Sequence, residues 1–422
     1  MGTLMSSWET LPPLSDFILP TPETYTILIN IFQYFPTISL IQWLTSFHPA
    51  GKTSLRTSRL NLPGRWAWFA MEIIGPVNLM YILWAGSSSP YLPLPLPLQN
   101  KLLASLYVLH YINRAIISPL FSAPSMSPIH LSIVVSAMVF NWLNSVCLGG
   151  WLLGFHVLIS QGQDQGQDQG AAAPTKIPTS PGYYSAVVPP IGLVLFFAGM
   201  ACNIYSERIL FRLRREEGER REKREKGFDS GSDSITASVD FNTNADANTN
   251  TNVNTNTKRP PNKYSKIYII PPATGPFYSI LYPHYVAEWI EWTGFALLGT
   301  AVIPTAFTSA SSAILSPSSF SSSAGPGPGP GASAPLSPIT VTLTTASTIS
   351  SLPLHLAPWL LPAARLARRL NLPLPLPALV FLVNAVTNML PHARWGRKWY
   401  VRRFGEERVG RRGAVVPFWG GC

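Results

Sequence analysis

Long apolar runs, separated by short polar or basic stretches, set the pattern of this chain. Seven runs read as membrane-spanning helices, a length that takes about 20 apolar residues: 25–47, 66–85, 102–117, 129–158, 184–213, 283–303 and 374–390. Between them the pattern breaks for identifiable reasons. Residues 91–98 alternate Leu and Pro, which cannot be helix interior. A Gln-Gly-Asp repeat at 161–170 reads as a flexible loop. Alternating Arg, Glu and Lys after residue 213 continue the fifth helix as a solvated face, and the Asn-Thr repeats that follow carry no apolar positions and predict disorder. A Ser, Pro, Gly and Ala insert at 309–334 predicts the same. The run at 339–361 is apolar but rich in Ser, Thr and Pro. The pattern predicts an all-α, polytopic membrane protein of about seven transmembrane helices with disordered cytosolic and luminal inserts.

Charge placement fixes the expected topology. Of 31 Lys and Arg, four lie in 52–65, twelve in 212–266 and eight in 394–412. With seven spans these three regions share one side, and the positive-inside rule makes it the cytosol, with the C-terminus there. A further span through 339–361 would strand the last basic cluster outside, so that run is not counted. Arg365, Arg368 and Arg369 fall on the minority side. The expected organisation is a loose tail at 1–22, helices 1–5 with a substrate site at 23–213 and a charged, Asn/Thr-rich insert at 214–263. Helix 6 follows at 264–307, a second insert at 308–338, an apolar segment with helix 7 at 339–391 and a basic cytosolic tail at 392–422.

Composition agrees. The chain is 46% hydrophobic and 12% charged over 422 residues, with a mean hydropathy of +0.17. A net charge of +11 commonly signals nucleic-acid binding, but clustered at membrane boundaries it reads as topology, and no nucleic-acid partner is expected. Cys147, Cys202 and Cys422 have neither metal-ligand nor disulfide spacing, so no metal is expected. No basic n-region precedes the first span, so no cleaved signal peptide is expected.

Polar groups inside the apolar runs are the candidates for chemistry, because they are costly there without a partner or cavity. Glu72 sits seven residues into the second span. His110, Tyr111 and Arg114 lie within one turn in the third. Asn141 and Asn144, one turn apart in the fourth, suit helix packing at least as well as catalysis. Asn203, Glu207 and Arg214 share a face of the fifth. After Pro283, a favoured helix start, His284, Glu288 and Glu291 recur at i, i+4 and i+7 on one face. Each group has a structural alternative, such as an interfacial anchor or a snorkelling side chain.

Taken in order, these segments resemble the steroid 5α-reductase family. Ile270-Pro271, Gly275, Phe277, Pro283, Tyr285, Glu288, Glu291 and Trp292 resemble its C-terminal signature, with His284 where the family usually has Asn. Arg65, Trp68 and Glu72 resemble its Arg-x-x-Trp-x-x-x-Glu segment, with Met71 where Gln is frequent. His110, Tyr111 and Arg114 resemble His-Tyr-x-x-Arg. Gly199, Asn203, Ser206, Leu213 and Arg214 match a fourth segment, with Glu207 in place of Asp. In the tail Trp399-Tyr400, Phe404, Arg412 and Val416-Pro417-Phe418 match, while the family's paired histidines are absent.

The resemblance implies an NADPH-dependent reductase of a conjugated enone in a steroid-like or other lipid, resident in the endoplasmic reticulum membrane. It assigns Glu72 and Tyr111 to the substrate carbonyl. It assigns Arg114, Asn203, Glu207, Arg214, Tyr268, His284, Glu288 and Tyr400 to the cofactor. The expected partners are the lipid substrate and the bilayer; oligomeric state is left open. Two alternatives stand beside it: a membrane methyltransferase of the isoprenylcysteine type using S-adenosylmethionine, which shares the Pro-x-Tyr, Glu and Pro-Phe pattern, and a non-catalytic lipid-binding relative. No Rossmann fingerprint is present.

Overall fold

The computed structural model describes residues 12–45, 58–87, 96–155, 183–229, 263–264, 267–302 and 354–418. The Gln-Gly-Asp repeat, the Asn-Thr repeats, the 309–334 insert and residues 339–353 lie outside the described residues.

Helices make the fold. After a single turn, α1 (Ser15–Ile18), come α2 (Pro22–Phe32) and α3 (Pro36–Leu44). Then follow α4 (Gly64–Ser87), α5 (Leu98–Tyr111) and its π-helical continuation Ile112–Ser122. The remaining helices are α6 (Leu131–Leu152), α7 (Tyr183–Asp229), α8 (Pro283–Leu298), α9 (Leu361–Arg369), α10 (Leu376–Phe404) and a final turn, α11 (Glu406–Val409). Sheet is confined, among the described residues, to β1 (Asn61–Leu62) paired antiparallel with β2 (Ile129–His130). Among the described residues, five helical stretches are long and apolar enough to cross a membrane: 22–44, 64–86, 131–152, 183–224 and 376–404. Large apolar side chains such as Leu40, Val139 and Val194 face outward, as a bilayer-facing surface requires. The protein is an all-α polytopic membrane protein.

Several spans differ from the pattern-based expectation. The first is two helices, because Pro36 cannot donate to a continuing helix and instead takes the first position of α3. Gln33 closes the break. Its side-chain nitrogen donates to His355 O (2.8 Å), its side-chain oxygen accepts from Ala357 N (2.8 Å), and its own carbonyl accepts from Trp359 Nε1 (3.1 Å). Asn384 of α10 donates to Phe32 O at 3.1 Å. Non-helical backbone at this depth is tolerated because these groups satisfy it. The third span starts earlier, at Leu98, and runs on to Ser122. The sixth is short, with α8 ending at Leu298 in a 3₁₀ turn, Gly299–Ala301. The last passes through Pro391 to Phe404, well beyond the predicted end at 390.

Glycines set the closest helix crossing. A Cβ on Gly199 would lie 2.4 Å from Glu291 N and 2.7 Å from Ala287 O, and one on Gly294 would lie 2.4 Å from Phe196 N. Backbones of α7 and α8 therefore touch, as small residues permit in membrane helices. This contact positions the polar residues of both helices. Trp292 fills the centre of the core, its ring 4.5 Å from those of His110 and Phe381. At the N-terminal end of α8, Leu281 N and Tyr282 N donate to carbonyls of the chain's last segment, at Gly413 (3.0 Å) and Ala414 (3.0 Å).

Candidate functional site

Arg114 is the hub. It stands in the π-helix, a form that is rare and often found at functional sites. Its Nε lies 3.6 Å from Glu72 Oε1 of α4, and its Nη1 lies 3.3 Å from Glu288 Oε2 of α8 and 4.0 Å from Glu207 Oε1 of α7. The guanidinium sits 5.0 Å over the Trp68 ring, and Trp68 Nε1 donates to Arg114 O at 3.1 Å. Ser118, one turn on, donates to Glu207 Oε2 at 3.1 Å. Arg65 closes the end of the π-helix, donating to Leu120 O, Ala123 O and Pro124 O. Three carboxylates converge on one cation, so the centre carries an excess of acid.

Glu72 and Tyr111 meet through a third residue. Tyr111 donates its hydroxyl hydrogen to Asn141 Oδ1 at 2.9 Å. Asn141 Nδ2 donates to Met71 O at 2.7 Å and to Glu72 Oε2 at 3.3 Å. Gly75, three residues after Glu72, makes room for the phenols; a Cβ there would lie 2.8 Å from the Tyr107 hydroxyl. Behind this layer His110 Nδ1 and Glu291 Oε1 form a buried pair at 2.7 Å. Glu291 Oε2 and Asn203 Oδ1 are buried with no hydrogen bond.

A second group gathers at the far end of α10. The Tyr268 and Trp399 rings are 4.9 Å apart, with the Arg403 guanidinium 6.0 Å over Tyr268. Tyr400 stacks on Phe404 at 6.0 Å, with Arg214 and Arg412 in electrostatic range. Arg412 is held by backbone alone, donating to Pro271 O (2.6 Å), Val409 O (2.9 Å) and Arg408 O (3.3 Å). Burial lowers its pKa from the usual arginine value. Arg397, Arg408 and Arg411 line an open cleft of about 880 Å³ beside it.

Of the ten residues singled out in the sequence, Glu72, Tyr111, Arg114, Glu207 and Glu288 form one bonded network, while Arg214, Tyr268 and Tyr400 join the second group. Asn203 lies one turn before Glu207 on α7. His284 occupies the first turn of α8, its ring 4.6 Å from that of Tyr285. His110 and Glu291, noted as ionisable groups in apolar helices, Asn141, noted as equally suited to packing, and Trp68, noted only in the family resemblance, were given no site role by the sequence. Ser118 was not singled out at all.

The fold and this network define a polytopic membrane protein with a buried ionic centre assembled from four helices. No family model matches the chain. Over 262 residues, 58% of the chain, it is 27% identical to an uncharacterized Schizosaccharomyces pombe protein, C9.08c, covering 72% of that protein. Over 197 residues, 46% of the chain, it is 26% identical to the steroid 5-alpha-reductase DET2 of Solanum lycopersicum and 29% identical to that of Arabidopsis thaliana. The matched stretch covers 65% and 64% of those two reductases, slightly under two thirds of their length. The chain is distantly related to the steroid 5-alpha-reductases.

Proposed function

We propose that this protein is a membrane-bound, NADPH-dependent reductase of a conjugated carbon–carbon double bond in a steroid-like or other lipid enone. The observation that carries the reading is the meeting of Glu72 and Tyr111 on Asn141, beside Arg114. These side chains come from three successive helices, α4, α5 and α6, and Glu72 and Tyr111 are the pair the reductase reading needs at a substrate carbonyl.

The residues present fit a dinucleotide. Asn203 Oδ1 is a buried acceptor with no donor, suited to an amide or hydroxyl of the cofactor. Arg214, Arg397 and Arg412 supply cationic groups near Tyr400 suited to phosphates. Arg114, Asn203, Glu207, Arg214, Tyr268, His284, Glu288 and Tyr400 are the residues proposed to hold it. Bound there, NADPH would supply a hydride to the β-carbon of the enone, and the resulting enolate would take a proton from solvent at the α-carbon. Tyr111 and Glu72 act on the carbonyl oxygen, where negative charge develops; Tyr111 donates once its one hydrogen turns from Asn141 Oδ1 to the carbonyl, and Glu72 donates when protonated. Donors placed beforehand in a site closed to water are worth more than the same donors in water. Glu72 and Arg114 are largely, though not fully, enclosed by the surrounding helices, with 12% and 17% of their side-chain surface exposed. The proposed setting is the endoplasmic reticulum membrane, with the C-terminus in the cytosol.

The test is NADPH consumption by membranes containing the protein, against a panel of steroid, polyprenol and enoyl enones. Turnover of at least one enone is expected. Glu72→Ala should lose about a hundredfold, the usual scale for a preorganised donor, and Glu72→Gln should lose less because its amide still donates. Absence of turnover across the panel, or full activity in Glu72→Ala, overturns the assignment.

A further inference from the structure

Asn141 stands between the two proposed catalytic groups, and only one orientation of its amide works. Met71 O, a backbone carbonyl and therefore only an acceptor, lies 2.7 Å from one arm of the amide. That arm must be nitrogen, since turning the amide over would set two oxygens against each other. The other arm, 2.9 Å from the Tyr111 hydroxyl, is then oxygen. An amide oxygen only accepts, so the phenol must donate. The second hydrogen on the nitrogen is left for Glu72 Oε2 at 3.3 Å. One side chain, 4% exposed, thus fixes the direction of the single Tyr111 proton and holds the Glu72 carboxyl beside it.

We infer that Asn141 is a positioning residue for the Glu72–Tyr111 pair, holding the phenol and the carboxyl side by side until an enone carbonyl arrives and takes the Tyr111 hydrogen from Asn141 Oδ1. The inference rests on the reductase reading. Helix packing alone does not ask for this arrangement. Asn144, one turn further along, illustrates the packing role: it donates to the Tyr107 hydroxyl at 3.1 Å, and its own oxygen is buried with no hydrogen bond. Asn141 instead has both arms engaged, with Met71 O fixing which arm faces which catalytic group.

Asn141→Asp and Asn141→Ala separate positioning from packing. The aspartate has the asparagine's shape. Ionised, both of its oxygens accept, and one is forced against Met71 O and Glu72. Protonated, one oxygen regains a hydrogen for Met71 O while the other still accepts from Tyr111. Other titratable and charged groups face this spot: Glu72 from α4; Tyr107, His110 and Tyr111 from α5; Arg114 from the π-helix; and Glu288 from α8. Each variant is therefore compared with wild type at every pH.

With NADPH and a 3-oxo-4-ene steroid such as progesterone, kcat of Asn141→Asp should fall about a hundredfold at pH 8, with KM little changed, and recover to within about tenfold of wild type at pH 5.5. Asn141→Ala should stay about a hundredfold down throughout. A readout independent of turnover is the thermal midpoint in detergent. For Asn141→Asp it should lie below wild type at pH 8 and rejoin it at pH 5.5. A ratio of Asn141→Asp to wild type that does not change with pH overturns the inference, as does wild-type kcat in Asn141→Ala. In both cases wild-type turnover leaves the reductase reading standing. A wild-type protein that reduces no enone removes the reductase reading, and the inference falls with it.

Discussion

The two polar groups of this protein are built on opposite principles. Around Arg114, side chains bind side chains: Glu72, Glu207 and Glu288 reach it from three helices at 3.3 to 4.0 Å. At the end of α10, contacts run through aromatic faces and backbone carbonyls, as with Tyr268 on Trp399 and Arg412 on Pro271 O. The inner group therefore depends on every member keeping its charge and place. The outer group can lose one ring or one cation and keep its shape. Stability and chemistry are coupled in the first and separable in the second.

The harshest way to break this contrast is Arg114→Met. It leaves three carboxylates facing one another in an apolar interior, and removing one partner of a buried ionic group costs about 3–5 kcal/mol. Loss of most folded protein is expected, seen as a collapsed thermal midpoint and aggregation in size-exclusion chromatography. A variant as stable as wild type would place solvent where the helices pack.

Gly199→Leu should come next. A side chain there meets Glu291 N and Ala287 O directly, so α7 and α8 must part, carrying Glu207 away from Glu288. Overpacking of this kind costs about 1–3 kcal/mol or more. The expected result is a lowered midpoint together with lost NADPH binding, measured by fluorescence quenching in detergent. Unchanged binding would mean that the glycine contact does not position the carboxylates.

Tyr268→Ala tests the outer group. Removing one ring from the Trp399 and Arg403 stack should weaken NADPH binding by about twofold to fivefold, the range for one aromatic–cation contact near the surface. The thermal midpoint should hardly move. A large stability loss would show that the outer group is as interdependent as the inner one.

His284→Asn should have the smallest effect. It restores the amide common at this position in the family that the chain resembles, so turnover should be retained. Because an amide has no proton to gain between pH 5.5 and 8, the pH–rate profile should flatten relative to wild type. Superimposable profiles would assign His284 to the helix start alone.

What could be read from the sequence follows the same division. Glu72, Arg114, Glu207 and Glu288 stood out because an ionisable group in an apolar run demands a partner, and the partners proved to be each other. Asn141 did not stand out, because an amide in a membrane helix serves packing equally well, and only the direction of its bonds distinguishes the two uses. The π-helix was also hidden. Residues 112–122 mix apolar side chains with Asn113, Arg114, two serines and one proline, and nothing in that pattern separates a π-helix from an α-helix. The glycine contact was half visible: Gly199 matched a family segment, but the backbone it meets, at Ala287 and Glu291, lies in another helix, and no periodicity joins them. Pro36 was in plain view, yet proline is tolerated inside membrane helices when neighbours satisfy the freed backbone. Here the neighbours come from residues 355–359 and Asn384, too distant to be inferred.

Gln33 has a consequence for how the chain is made. Its partners at His355, Ala357 and Trp359 lie 322 to 326 residues further on, and Asn384, the partner of Phe32, lies 352 residues further on. During synthesis α2 and α3 enter the bilayer long before any of these groups exists. The break between them must wait, with its amide and carbonyl served by lipid headgroups, water or a chaperone. This span is thus inserted early and completed late. An interruption of translation anywhere before residue 354 would leave that unfinished break as a mark by which quality control could recognise the fragment.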